Sequence, residues 1–166
     1  MNVKLLRRVA QTIVRRYKQI DMNHWFDPRE GAGRCNTTAC IAGWAETLSH
    51  EKEFKGTVKP RQVAKLFNKD FGRFMNRRSR LMSYTVELSN REKEKVRRSA
   101  IKRLELTRAQ AKRLFFSDQW PEQFADDCGR LRASIDATDR LSPGTPEYAK
   151  RVAERIEHFI ATKGRE

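Results

Sequence analysis

Apolar side chains recur at helical spacing along most of the chain. Val3, Leu6, Val9, Ala10, Ile13, Val14, Tyr17 and Ile20 fall on one face of a 3.6-residue helix, and Lys4, Arg7, Arg8, Arg15 and Lys18 fall on the other. This pattern predicts an amphipathic helix over 2–20. Asp27-Pro28 and Gly31-Ala-Gly33 then break the period, marking a loop over 21–34. A second helix is expected from a cap at Thr37 or Thr38 to about Ser49. Cys40, Ile41, Trp44, Ala45 and Leu48 form its apolar face, with Ala42 and Gly43 opposite. A glycine inside a helix costs about 1 kcal/mol against alanine. Close approach of a neighbouring backbone would offset that cost, so this helix is expected to be buried on both sides, at the centre of the fold.

Residues 50–58 are polar, contain Gly56 and read as a link. Val63, Leu66, Phe67, Phe71, Phe74 and Met75 form a stripe that predicts a helix over 59–82, weakened at Gly72 and ended by Arg77-Arg-Ser-Arg80. Tyr84 to Leu88 alternates as an extended segment does. Ser89-Asn-Arg-Glu92 is a capping box opening a very polar helix to Leu104. Thr107-Arg-Ala-Gln110 is a second box, starting a helix through Phe116 with Ala111, Leu114 and Phe115 inward. Trp120-Pro121 breaks it, and a short helix is expected over 121–131. After a loop carrying Ser142-Pro-Gly144, Thr145 and Pro146 begin a last helix lined by Tyr148, Val152, Ile156, Phe159 and Ile160 and stopped by Gly164. No repeat or low-complexity tract interrupts this pattern. The expected fold is all-α: a single compact domain over 1–166 with six or seven helices, in which 50–105 forms a basic helical insertion.

Charge changes this picture most. The 166 residues hold 36 Lys plus Arg against 21 Asp plus Glu, a net charge of +15. The net charge is +4 over 1–49, +10 over 50–105 and +1 over 106–166. Like charges concentrated in one third of a chain repel unless something neutralises them, which suggests a polyanionic partner. Nucleic acid and an anionic membrane surface are the two common ones. No apolar run approaches the roughly 18 residues a membrane span needs, and the basic, amphipathic opening does not read as a signal peptide. Three cysteines make no disulfide framework. A cytoplasmic protein without membrane contact or cofactor is expected.

Stepping 100° per residue along 90–104 places Arg91, Lys95, Arg98 and Lys102 within an arc of about 60°. Val96, Ala100 and Leu104 lie nearly opposite, flanked by Lys93, Arg97 and Arg103. Together with Arg77, Arg78, Arg80 and Arg97, the stripe is the candidate nucleic-acid-binding set, with contacts aimed at phosphates. A solvated surface helix is the plain alternative, supported by the i,i+4 pair Glu94–Arg98. Tyr84 is the only aromatic nearby, so backbone contact is favoured over base stacking. Residues 99–115 resemble the middle of a helix-turn-helix only in part: Glu105 holds the slot where glycine is usual, and Ala111 the β-branched slot. A capped helix–helix corner is the preferred reading. An adaptor or inhibitor docking on an acidic host protein would use the same cationic face.

No catalytic signature or metal-ligand spacing is present. Cys35 and Cys40 form one loose pair, with Cys128 far away, and Asp126-Asp127 reads as surface. A thiol enzyme would need Cys40 or Cys35 with His158; the helix N-terminus at Cys40 would lower its pKa. On its apolar face, however, Cys40 reads better as a buried structural thiol. His24 and His50 read as surface residues. Several segments resemble a group of small bacterial and phage helical proteins without assigned activity. They are Leu5-Leu-Arg-Arg-Val-Ala10, Thr38-Ala-Cys-Ile-Ala-Gly-Trp-Ala45, Leu106-Thr-Arg-Ala-Gln-Ala-Lys-Arg-Leu-Phe115, Trp120-Pro121 and Arg155-Ile-Glu-His-Phe-Ile160. The Cys-Ile-Ala-Gly-Trp-Ala piece is the most distinctive. The resemblance implies a shared helical core, a basic elaboration around 50–98 and a bacterial or phage setting, but no reaction and no site.

Overall fold

A computed structural model describes residues 1–22, 26–27, 38–51, 54, 58–71, 74–76, 83–85, 87–125, 129–133 and 140–165. Among these, six α-helices build one all-α domain: α1 (Val3–Arg15), α2 (Ile41–Ser49), α3 (Pro60–Phe67), α4 (Asn90–Leu104), α5 (Arg108–Phe115) and α6 (Pro146–Ala161). Two small antiparallel pairings accompany them, β1 (Phe26–Asp27) with β2 (Thr38–Ala39) and β3 (Phe74–Asn76) with β4 (Ser83–Thr85).

α1 begins where Asn2 Oδ1 accepts the Leu5 N–H at 3.0 Å, satisfying a donor the helix cannot pair internally. Leu6, Val9, Ala10 and Ile13 bury its inner face, which packs extensively on α6 and also on α2. The helix stops five residues short of the expected end. A single 3-10 turn, Tyr17–Gln19, carries the chain into an extended Ile20, which stays fully buried and bridges Ala39.

Every residue of α2 from Ile41 to Leu48 is buried, as expected of a central helix. Its cap is Cys40 rather than Thr37 or Thr38, because Thr38 and Ala39 are used in the pairing with β1. Two of the polar side chains inside are satisfied: Trp44 Nε1 donates to the Gln19 carbonyl at 3.1 Å, and Thr47 Oγ1 donates to the Gly43 carbonyl at 2.8 Å.

The helix expected over 59–82 is overturned beyond Phe67. Asn68 is extended, and its Oδ1 accepts the Asp70 N–H at 3.0 Å. A side chain that hydrogen-bonds two residues on offers the backbone a turn in place of the next helical bond. Phe71 still reaches the core, whereas Leu66 of the expected stripe is 54% exposed. The strand at 83–85 matches the extended reading.

α4 carries the expected capping box: Glu92 Oε2 accepts the Ser89 N–H at 2.7 Å, and Ser89 Oγ accepts the Glu92 N–H. Val96, Ala100 and Leu104 are buried, mainly against α2. Glu105 ends the helix in the left-handed region, with φ 53. There the Leu106 N–H donates to Ile101 O at 3.0 Å and the Glu105 N–H to Lys102 O at 3.2 Å, the two bonds of a Schellman stop. The box at Thr107 starts α5, which ends at Phe115 with Phe116 already extended.

No helix forms at the described residues of 121–131. A turn places buried Phe124 and Ala125, and Ala125 bridges Leu131. Gly129, at φ 71, sits so close to Asp118 that a Cβ would meet its backbone nitrogen at 2.8 Å. Thr145 caps α6 as expected; Lys163, left-handed at φ 55, stops it, and the next residue, Gly164 at φ 64, donates its N–H to Phe159 O at 2.9 Å. Arg155 is buried in α6 with its guanidinium 5.6 Å from the Trp120 ring and 5.7 Å from that of Phe124, and it donates to the Arg113 carbonyl at 3.0 Å.

Candidate nucleic-acid interface

Because Val96, Ala100 and Leu104 face inward, the residues half a turn away must face out. Arg91, Lys95, Arg98 and Lys102 are all exposed. The stripe spans twelve residues, about 16 Å from end to end at 1.5 Å per residue. Arg91, Lys95 and Lys102 form no ion pair among the described residues. Arg98 does: its Nε donates to Glu94 Oε1 at 2.8 Å. Glu94 also receives Arg97 Nε at 2.6 Å and Nη2 at 2.7 Å. Hydrogen bonds from Arg97 and then Arg98 hold the Glu94 carboxyl down at about 2. Arg97 is therefore turned along the helix and neutralised, while Arg98 remains 76% exposed despite its pair. Arg77, Arg78 and Arg80 lie outside the described residues.

A large open groove adjoins the C-terminal end of this stripe. It holds about 1210 Å³ and is walled by Lys4 and Arg8 of α1, Lys102 and Arg103 of α4, and the carboxylates Glu51 and Glu105. The Asn2 N–H donates to Leu104 O at 2.7 Å, which fixes the start of α1 against the end of α4. Both carboxylates already have cations. Glu51 pairs with Arg8, and Glu105 lies 3.8 Å from the Met1 amino group. Lys4 and Lys102 have no such partner among the described residues.

Beneath the groove lies a cluster absent from the expected site set. Glu46 is fully buried in α2; its Oε2 accepts Arg103 Nε at 3.2 Å. Arg103 Nη2 is 2.9 Å from His50 Nε2. The same His50 Nε2 lies 3.5 Å from Glu46 Oε2, so the three side chains form one contact cluster. Burial pushes the Glu46 carboxyl above its ordinary value, an effect Arg103, Ser99 and His50 reduce without cancelling. His50, expected at the surface, is 8% exposed. One signal in the chain could have found this cluster: Glu46 stands alone among apolar residues in a helix expected to be buried on both sides, and a carboxylate there needs a cation.

Of the side chains a recognition helix would offer at the α4–α5 corner, Arg108 and Lys112 are exposed, and Arg113 is engaged. Arg113 Nη1 donates to Gly164 O at 2.8 Å and Gln110 Nε2 to Lys163 O at 2.9 Å, so α5 spends these side chains on the end of α6. This supports the corner reading. Cys40 is buried, and burial raises its thiol to about 11, against the lowering expected from the helix N-terminus. Desolvation outweighs the hydrogen bonds from Gly43 and Ala42. Cys40 shares its surroundings with Tyr148; His158 is ten residues further along α6, about 15 Å, with its ring 5.3 Å from Phe124. The structure therefore does not bring Cys40 and His158 together. His24, Cys35, Asp126, Asp127 and Cys128 lie outside the described residues. Among the described residues no three metal-ligating side chains come together, and no helix is long and apolar enough to cross a membrane.

Compared with protein-family models, curated proteins and solved structures, the chain matches none. The functional reading therefore rests on geometry and charge.

Proposed function

We propose that this protein is a non-enzymatic, cytoplasmic nucleic-acid-binding protein that contacts phosphates through the outer face of α4. One observation carries the reading: Arg91, Lys95 and Lys102 are exposed and form no ion pair among the described residues, opposite the buried Val96, Ala100 and Leu104. A helix selected only for solubility would intersperse acids on that face. Here the nearby acids are engaged: Glu92 in the cap and Glu94 between Arg97 and Arg98. Each phosphate the stripe neutralises releases a counterion, so affinity is set by salt more than by base sequence.

The test is fluorescence anisotropy with labelled duplex DNA and RNA over a salt series. Three to four phosphate contacts give a log–log slope of about −3 to −4. Affinity then falls on the order of a hundredfold between 50 and 200 mM salt. The variant R91E/K95E/R98E/K102E, altered only at exposed positions, should fold and fail to bind. Undiminished binding by that variant overturns the reading. A binding partner captured by the wild type that survives nuclease, and is lost by the same variant, would instead identify an acidic protein as the target.

A further inference from the structure

The stripe does not end at Lys102; the same side chain forms one wall of the groove between α1 and α4. Building on the proposed nucleic-acid reading, we propose that this groove is a second binding element that takes a single-stranded segment running on from a duplex held along α4.

Three features select that ligand. The first is size. At about 1210 Å³ the groove slightly exceeds the roughly 300–1,000 Å³ of small-molecule sites, which suits a short run of single strand. The second is charge. Arg8 and the Met1 amino group answer Glu51 and Glu105, and Arg103 is drawn to Glu46, which leaves Lys4 and Lys102 for an incoming anion. Two cations lining one groove from separate helices suit phosphates of one strand. The third is the lining. Leu5 and Leu48 supply apolar surface, Ser49 and Ser99 supply hydroxyls, and among the described residues no aromatic side chain borders the space. Bases therefore find no stacking platform, and the strand is held by its backbone without sequence preference. The favoured ligand is thus a junction, a duplex with a single-stranded tail, over a blunt duplex.

The experiment compares a blunt DNA duplex with the same duplex carrying a short oligothymidine tail, for the wild type and for Lys4→Glu, at 50 and 200 mM salt. Lys4 is exposed on α1 and lies outside the α4 stripe. The wild type should bind the tailed probe more tightly. Two single-strand phosphates add about 1.4 to the salt slope, so the advantage of the tail shrinks about sevenfold over that salt range. Lys4→Glu should bring the ratio of tailed to blunt affinity close to one. Equal affinity of the wild type for both probes overturns the groove while leaving the α4 reading intact. A tail preference that survives Lys4→Glu also overturns it, because the strand is then held elsewhere. Failure of the wild type to bind either probe removes the α4 reading, and the groove proposal with it.

Discussion

Replacing Arg103 by methionine tests whether the buried Glu46 carboxylate is held by that guanidinium. Arg103 Nε lies 3.2 Å from Glu46 Oε2. At an effective dielectric of 20 the gross attraction at that distance is about 5 kcal/mol. The net effect is smaller. The Arg103 side chain is 32% exposed, so solvent screens the pair, and methionine keeps most of the packing of the stem. A cost of about 2–3 kcal/mol at pH 7 follows, below the 3–5 kcal/mol of a fully buried pair that loses one partner. For a domain of this size the thermal midpoint drops by about 5–10 °C. The pH dependence is the sharper readout. Burial already raises Glu46 above its ordinary value, and removing the guanidinium raises it further. With a folded pKa above the unfolded one, the folded state retains the extra proton as pH rises, so stability is intact below about 4.5 and is lost above it. The deficit of Arg103→Met should therefore be smaller at pH 5 than at pH 8 in urea denaturation. Glu46→Gln/Arg103→Met, which removes the carboxyl itself, should lose the Glu46 part of that difference and cost less than the sum of the single changes. Additivity within about 0.5 kcal/mol, or an equal deficit at both pH values, would refute the account.

Two further outcomes follow from named groups. Glu94→Gln frees Arg98: the slope of nucleic-acid affinity against salt should steepen by up to about 0.9, and the stability cost should stay under about 1 kcal/mol because the pair is exposed. Since the Glu94 carboxyl is held at about 2, that small contribution is present above 4.5 and fades as pH falls toward 2, so acid titrations of the two proteins should converge. Cys40 should resist alkylation in the native state. Its thiol is raised to about 11, so stability holds below pH 9 and declines by about 3 kcal/mol as pH climbs through that window. Cys40→Ala, compared with the wild type in urea at neutral and alkaline pH, should lack this decline.

The parts of the fold legible in the chain are those set by neighbours in sequence. Ser89 with Glu92, and Thr107 with Gln110, place two helix starts correctly because a capping box needs only residues three apart. The central position of α2 follows from Gly43 and Ala42 opposite Trp44. The stripe of Val63, Phe67 and Phe71 overran its helix because the apolar period continues past Asn68, while the Asn68 side chain turns the backbone. At the site, the outward stripe was readable because the period of α4 alone fixes it. The Glu46–His50–Arg103 cluster and the groove were not. Glu46 and Arg103 are 57 residues apart, and Lys4 and Lys102 line one groove only because the start of α1 docks on the end of α4.

α4 itself shows a tension between stability and charge placement. Its C-terminal cations Lys102 and Arg103 suit the negative end of the helix dipole, and Glu92 suits the positive end. Arg91 does not: it adds a cation in the first turn, where the peptide dipoles already present positive charge, at a cost of a few tenths of a kcal/mol. Its neighbour Glu92 is drawn into the cap and cannot screen it fully. The helix is also anchored by only three fully buried side chains, one of them alanine, with Ile101 partly buried beside them, so it has little apolar burial with which to absorb unfavourable charge. Aligning phosphates with the stripe reverses the sign of both terms. An anion beside Arg91 meets a helix N-terminus that favours it, and the repulsion along Arg91, Lys95, Arg98 and Lys102 becomes attraction. A placement that works against the isolated helix and favours the bound one is expected at functional surfaces, where local stability rules are broken for a compensating gain.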